Sequence, residues 1–173
     1  MDGAGRAYIG LGTNLPFGGV AGPALLAQAL TALSQAGFAP VEVSSVWVTA
    51  AWPPSSQPDY YNAAVTVDGG GVSPEALYGR LRDIELRFGR ERRDQWQART
   101  LDLDIVAIGG VVGAFGEVRL PHPRMHERAF VLAPMAEIAP DWRHPVSGLS
   151  LPEMLKSVPD GQHYRRLGPI GPF

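Results

Sequence analysis

The feature that most constrains the fold is a short run of alternating residues in the middle of the chain. Residues 101–108 read LDLDIVAI, in which apolar and acidic side chains alternate with the period of a β-strand. Asp102 and Asp104 therefore share one face of that strand, with their Cα atoms about 6.6 Å apart at the usual rise per residue. The run predicts a sheet that buries one face and carries two carboxylates on the other.

Helical and β-rich patterns on either side of this strand indicate the fold class. They are a strand over residues 7–12, a helix over 22–36, β-rich runs over 41–49 and 60–67, a helix from Ser73 to Gly89, and the strand over 101–108. The order βαββαβ predicts a ferredoxin-like α+β fold, with a mainly antiparallel sheet and two main helices on one face. Short C-terminal helices are expected near 124–138 and 151–157, and a hairpin is expected to join 111–112 to 117–119 across residues 113–116.

The length and composition indicate one domain and exclude several classes of protein. The chain has 173 residues, 45% of them hydrophobic, which fits one domain over 1–158 followed by a Gly/Pro-rich tail over 159–173 that we expect to be mobile. It has no cysteine, so disulfide scaffolds and thiolate metal sites are excluded. A net charge of −2 argues against a broadly basic surface for nucleic acid or membrane. The N-terminus does not read as a signal peptide, and we expect a cytoplasmic monomer.

The arginines are concentrated in front of the acidic pair. Seven of the fourteen lie between Arg80 and Arg99, and Arg90, Arg92 and Arg99 fall in a loop that leads directly into the strand. Guanidinium groups bind phosphate oxygens in a bidentate manner, and Mg²⁺ takes one or two carboxylates together with substrate phosphates. The spacing thus suggests a metal-polyphosphate site, although D-x-D is common and the alternative is a solvated strand face.

Two further groups of residues could bind a ligand. Thr49, Tyr60 and Asn62 combine an aromatic wall with amide donors and acceptors that suit a heterocycle edge, or else Tyr60 is a core residue and Asn62 a turn residue. His122, held between two prolines, and Arg128 could add phosphate donors, or else they are ordinary surface residues.

Taken together, these segments resemble the hydroxymethyl-dihydropterin pyrophosphokinase family. The resemblance runs from Ala7 to about Leu155, and the order and spacing of its motifs are more specific than any one of them. The motifs are Tyr8-Ile9-Gly10-Leu11-Gly12-Thr13-Asn14, Gln57-Pro58-Asp59-Tyr60-Tyr61-Asn62-Ala63-Ala64-Val65, Ile84-Glu85, Gly89-Arg90, Arg99-Thr100-Leu101-Asp102-Leu103-Asp104-Ile105, and Pro121-His122-Pro123-Arg124-Met125 followed by Arg128.

The resemblance implies an enzyme that transfers pyrophosphate from ATP to a pterin hydroxymethyl group, with two Mg²⁺ ions, in folate biosynthesis. It implies that Asp102 and Asp104 bind the metal and act in catalysis with Arg90 and Arg92. The implied ATP contacts are Glu85, Arg92, Trp96, Arg99, His122 and Arg128, and the implied pterin contacts are Thr49, Tyr60, Asn62 and Phe130.

The chain departs from the family pattern in four places. The usual Pro-Pro-Leu-Gly after the threonine reads AAWP at 50–53, and the usual Gly-Pro before the arginine reads QA at 97–98. A frequent glutamine is Arg82 here, and a frequent aromatic after the histidine is Pro123. These departures predict altered packing around pterin and nucleotide rather than lost chemistry.

Two other functional classes remain open on the residues alone. A nucleic-acid module could use the arginine loop and a metal pair, and it would bind with an affinity that falls steeply with salt. A ferredoxin-like regulatory domain could bind a small ligand without chemistry. Pterin-dependent formation of AMP from ATP would distinguish the enzyme from both.

Overall fold

The computed structural model describes residues 5–51, 53–69, 71–89 and 100–173. Within these ranges the secondary structure follows the predicted order, except that the run over 41–49 is two strands and a further strand, β8, lies near the C-terminus. The elements are β1 (Arg6–Thr13), α1 (Gly22–Gln35), β2 (Pro40–Val43), β3 (Ser45–Thr49), β4 (Tyr60–Asp68), α2 (Pro74–Arg87), β5 (Asp102–Ile108), β6 (Gly113–Phe115), β7 (Val118–Leu120), a 3-10 turn (Met125–Glu127), α3 (Ala129–Ile138), α4 (Leu151–Lys156) and β8 (Tyr164–Pro169).

Six strands form one sheet in the order β5-β1-β4-β3-β8, and β2 also pairs with β4. Every pairing in it is antiparallel. The run predicted over 41–49 is two strands, because the chain is interrupted at Ser44, whose hydroxyl accepts a hydrogen bond from the Ala64 amide at 2.8 Å. The expectation of an α+β chain with an antiparallel sheet is confirmed.

Helices α1 and α2 cover one face of this sheet. Their apolar stripes, represented by Leu26, Leu30 and Leu81, pack on inward-facing residues of β1, β4 and β5 in the larger hydrophobic core. The predicted start of α2 is confirmed, because the Ser73 side chain accepts from the amide of Ala76. No helix in the described ranges is both long and apolar enough to cross a membrane.

Helices α3 and α4 cover part of the opposite face. A second core joins Tyr8 and Val106 of the sheet to Leu132, Met135 and Met154 of these two helices. Within the described residues, they leave one end of this sheet face uncovered. Several of the predicted site residues lie at that end.

A bulge in β5 positions the loop that follows β7. Tyr8 pairs with Ala107 and Ile9 with Ile105, so the register shifts by one residue at Val106. The carbonyl of Val106 accepts a hydrogen bond from the His122 amide at 2.8 Å. The bulge thereby fixes His122 beside the strand that carries the acidic pair.

Two expectations about the periphery are wrong. The hairpin has its strands at Gly113–Phe115 and Val118–Leu120, so its turn is at 116–117 and not across 113–116. Part of the expected mobile tail is a strand, since β8 pairs with β3 from Thr49↔Tyr164 to Ser45↔Pro169. The high Gly/Pro content of the tail argued against a strand, and the partner strand β3 lies more than a hundred residues earlier in the chain.

Candidate active site

The uncovered end of the sheet face forms a cavity of about 590 Å³. Eight of the predicted site residues line it, and they come from β3, β4, β5 and the segment around the 3-10 turn. They are Thr49, Tyr60, Asn62, Asp102, Asp104, His122, Arg128 and Phe130. Arg90, Arg92, Trp96 and Arg99 lie outside the described residues, as does Trp52 of the 50–53 departure.

Strand register sets the floor of the cavity. Gly12 of β1 pairs with Asp102 of β5 on one side and with Asn62 of β4 on the other. A Cβ atom on Gly12 would lie 3.1 Å from Asn62 Oδ1, so the glycine leaves the space between the two side chains open. Gly12 lines the cavity but was not among the predicted site residues; its only sequence signal is the Gly10-Leu11-Gly12 strand motif.

On one side of Gly12 lies a neutral wall made of Thr49, Tyr60, Asn62 and Phe130. The buried Asn62 amide donates to Thr49 Oγ1 at 2.8 Å, which fixes its orientation. The Tyr60 hydroxyl donates to Gln57 Oε1 at 3.1 Å. These bonds hold polar groups at the edge of an otherwise apolar surface, as recognition of a flat heterocycle requires.

The neutral wall is tied to the end of β1 by a second set of bonds. Asn14 Nδ2 donates to Gln57 Oε1 at 3.3 Å and to the Pro58 carbonyl at 3.2 Å. Gln57 therefore connects the Tyr60 hydroxyl to β1. Gln57 lines the cavity and is the first residue of the family motif over 57–65, although the resemblance assigned it neither a pterin contact nor an ATP contact.

On the other side of Gly12 lies a carboxylate wall made of Asp102 and Asp104. Both side chains line the cavity, and that of Asp104 is 39% exposed. Arg82 of α2 reaches this wall from behind the strand. Its Nη2 donates to the Leu103 carbonyl at 2.7 Å and lies 3.7 Å from Asp104 Oδ1.

Glu85 does not line the cavity with the other predicted ATP contacts. It is buried between α2 and β5, where its Oε1 accepts from the Leu103 amide at 2.6 Å and its other oxygen pairs with Arg82. The helical period indicates this placement, because Glu85 follows Leu81 by four residues and so lies on the apolar face of α2. Glu85 and Arg82 therefore hydrogen-bond the amide and the carbonyl of Leu103, the residue between the two aspartates.

His122 and Arg128 border both walls. Burial, and to a lesser extent the Arg128 and Arg124 charges, lower the pKa of His122 from 6.5 to about 4, although the Asp102 charge and a backbone hydrogen bond oppose the shift. His122 Nδ1 accepts from the Arg124 amide at 3.2 Å, so the proton of the neutral ring resides on Nε2. The guanidinium of Arg128 lies 5.6 Å from the centre of the Phe130 ring. The His122 imidazole is therefore a neutral hydrogen-bond donor, and the positively charged Arg128 guanidinium lies in the same cavity.

The donor set of the carboxylate wall suits a hard divalent cation shared with a ligand. Asp102 and Asp104 offer oxygen atoms on one strand face, and no cluster of three or more His, Asp or Glu side chains occurs in the described part of the chain. Mg²⁺ commonly takes one or two protein carboxylates and completes its shell with phosphate oxygens and water. The residues present fit this ion.

Comparison with known proteins assigns the family. The family model described as 7,8-dihydro-6-hydroxymethylpterin-pyrophosphokinase (HPPK) matches residues 8–140. A 2-amino-4-hydroxy-6-hydroxymethyldihydropteridine pyrophosphokinase of Synechocystis sp. is 39% identical over 154 residues, which is 88% of this chain and 75% of the relative. The enzyme of the same description from Pseudomonas aeruginosa is 38% identical over 158 residues, covering 89% of this chain and 92% of the relative.

A solved structure supports the fold. An HPPK-DHPS from Plasmodium falciparum superposes with a TM-score of 0.66 at 11% sequence identity, over 88% of this chain and 43% of that one. This chain thus spans less than half of that protein, and the likeness concerns the fold alone. On the family match and the sequence identities, the chain belongs to the HPPK family of ATP-dependent pyrophosphokinases.

Proposed function

We propose that this chain transfers pyrophosphate from ATP to 6-hydroxymethyl-7,8-dihydropterin, giving the pterin diphosphate and AMP, as a step of folate biosynthesis. One observation carries the proposal. A single cavity holds a neutral wall suited to a heterocycle and a carboxylate wall suited to a metal-bound polyphosphate, side by side on the same sheet face. A pyrophosphoryl transfer needs these two partners next to each other.

The pterin is assigned to the neutral wall. Asn62 and Thr49 present fixed amide and hydroxyl groups to the polar edge of the ring, and Tyr60 and Phe130 supply aromatic surface. A pocket that hydrogen-bonds its ligand in this way discriminates strongly against analogues that lack the matching groups.

The phosphates are assigned to the space between the carboxylate wall and His122 with Arg128. Arg128 contributes a fixed positive charge, and His122 contributes a donor from Nε2. Arg90, Arg92, Trp96 and Arg99 lie outside the described residues, so their roles in ATP binding and catalysis remain predictions. With them in place, arginines would neutralise the charge that develops on the transferred group.

Asp102 and Asp104 are the proposed Mg²⁺ ligands, with two ions expected. When bound, Mg²⁺ neutralises phosphate charge and makes the pterin hydroxyl a better nucleophile. The chain keeps the two carboxylates on one face of β5, and Arg82 and Glu85 position that strand through the backbone of Leu103. We assign no side chain as general base. We propose a supporting role for Glu85 in place of the direct ATP contact expected from the sequence.

The fold class is proposed on the order of elements. Strands β1, β4 and β5 with helices α1 and α2 follow the ferredoxin-like arrangement, in which the last strand and the second hairpin strand flank the first. We propose one catalytic domain over residues 1–158. The segment after it contributes β8 to the sheet edge. The cytoplasmic location and the monomeric state remain predictions.

One assay tests the function. Purified protein with ATP and Mg²⁺ should form AMP only when 6-hydroxymethyl-7,8-dihydropterin is present, and pterin diphosphate should appear in equal amount. AMP formation that does not depend on the pterin would contradict the assignment of the neutral wall. Salt-sensitive binding of an oligonucleotide without AMP formation would favour the nucleic-acid module instead.

A further inference from the structure

The backbone on both sides of Arg128 is held by one side chain from the C-terminal segment. Gln162 Oε1 accepts from the Ala129 amide at 2.9 Å, and Gln162 Nε2 donates to the Glu127 carbonyl at 2.7 Å. The two bonds are formed to the residues immediately before and after Arg128. Gln162 therefore restrains the peptide units that orient Arg128, as a neighbouring strand would do.

The hydrogen bond from the Ala129 amide to Gln162 Oε1 also takes the place of a side-chain cap at the start of α3. Ala129 is the first residue of α3, and its N-cap residue, Arg128, makes no side-chain capping bond. The first amides of a helix need an acceptor from outside the helix. Gln162 supplies one from a distant part of the chain, which leaves the Arg128 side chain to point into the cavity.

The segment that carries Gln162 is fastened at two other places. Tyr164 pairs with Thr49 of the neutral wall, and its ring lies 5.9 Å from that of Trp47. Arg166 Nε lies 2.6 Å from Glu137 Oε1, near the end of α3. Residues 161–164 also line a small cavity of about 10 Å³ together with Thr49 and Phe130. The C-terminal segment thus forms the layer behind the neutral wall.

We propose that Gln162 is a positioning residue that sets Arg128 and Phe130 in the cavity and thereby tunes the affinity for the nucleotide phosphates and for the pterin. The proposal rests on the proposed function and adds a residue beyond 8–140, the part of the chain that the family model matches. Gln162 does not line the main cavity, so it acts through the backbone of the residues that do. Its removal should loosen both the guanidinium of Arg128 and the aromatic ring next to it.

The test uses the full chain and two variants of Gln162. Gln162→Met keeps the length of the side chain and removes both hydrogen bonds. We expect the KM for ATP and the KM and Kd for the pterin each to rise about fivefold to tenfold, with kcat nearly unchanged. Hydrogen exchange at the Ala129 amide should become at least about tenfold faster. Gln162→Glu keeps an acceptor for that amide but turns its second oxygen, which cannot donate, towards the Glu127 carbonyl, so exchange and affinity should lie between those of the wild type and Gln162→Met.

The matched control is Arg166→Ala, which cuts the ion pair to Glu137 in the same segment but away from the cavity. It should leave the pterin KM and the Ala129 exchange rate unchanged. An equal rise of KM in Arg166→Ala would show general loosening and overturn the proposal. So would wild-type affinity in Gln162→Met, or exchange at Ala129 that is faster in Gln162→Glu than in Gln162→Met. Failure of the wild type to form AMP would instead overturn the proposed function, because the exchange measurement needs no substrate.

Discussion

The neutral wall and the carboxylate wall lie on one sheet face, yet they are held in place in different ways. Asn62 and Thr49 are buried and bonded directly to each other, whereas Asp104 is 39% exposed and is approached from behind by Arg82. The first wall is complete before any ligand arrives. The second presents two like charges that repel each other and are stabilised when a cation binds.

This difference indicates that the neutral wall needs rigid side chains, whereas the carboxylate wall needs mainly a rigid backbone. A heterocycle is recognised by hydrogen bonds whose geometry must be preformed, and preorganisation lowers the entropic cost of binding. A metal-bound polyphosphate supplies much of its own coordination, so the protein has to fix only the strand that carries the carboxylates. Glu85 and Arg82 do so through the backbone of Leu103.

The largest effect is expected from removing one carboxylate. Asp104→Ala should lower kcat for AMP formation by about a thousandfold, since metal coordination contributes several kcal/mol to such reactions. The exposed side chain of Asp104 contributes little to folding, so the melting temperature should stay close to that of the wild type. Asp83→Ala, which removes an exposed carboxylate of α2, is the matched control and should retain full activity. Near-normal turnover in Asp104→Ala would contradict the assignment of the carboxylate wall.

Removing the buried support of that wall should cost stability as well as activity. Glu85→Ala leaves Arg82 without its buried partner and the Leu103 amide without its acceptor, so the free energy of unfolding should fall by about 3 kcal/mol. Urea denaturation measures this change. Glu75→Ala, at an exposed position of the same helix, should change it by less than about 1 kcal/mol. A stable Glu85→Ala protein that lost only ATP affinity would instead support the direct ATP contact expected from the sequence.

The boundary between the two walls can be tested at Gly12. Gly12→Ala places a methyl group 3.1 Å from Asn62 Oδ1, so the Asn62 amide must shift and the pterin KM should rise about tenfold. Gly10→Ala is the matched control, because its methyl group would meet the Val106 side chain at 3.6 Å and the Asp104 carbonyl at 4.0 Å, both ordinary van der Waals contacts. Equal KM values in the two variants would show that the neutral wall tolerates displacement of Asn62.

The smallest effect concerns pH and His122. Its folded pKa of about 4 lies below the ordinary 6.5, so the unfolded chain binds the proton more readily, and the stability of the neutral ring is lost as the pH falls from 6.5 towards 4. Without Mg²⁺ and nucleotide, His122→Gln should therefore gain about 1 kcal/mol relative to the wild type between pH 7 and about pH 5.5. Urea denaturation at both values measures this. A ring proton signal of His122 that titrates near pH 6.5 would contradict the shift.

Local signals in the sequence predicted most of the fold and of the two walls. The alternation in β5 and the capping Ser73 placed a strand and a helix correctly, because both depend on neighbouring residues. Strand β8 was missed because it is an exposed edge strand with glycine and proline, and its pairing with β3 depends on tertiary contacts. Gly12 was missed for a related reason, since the role of a residue without a side chain depends on what lies beside it in the neighbouring strands.

The register across β4, β1 and β5 also sets a length. Neighbouring strands are about 4.8 Å apart, so Asn62 and Asp102, which both align with Gly12, are separated by roughly 10 Å. A ligand that is bound at one wall and extends over only one strand spacing, about 4.8 Å, does not reach the other wall. The distance between the two walls is therefore set by strand spacing, and two ligands that react with each other must together extend over about two strand spacings. Because this distance depends on backbone pairing, we expect substitution of side chains to leave it unchanged.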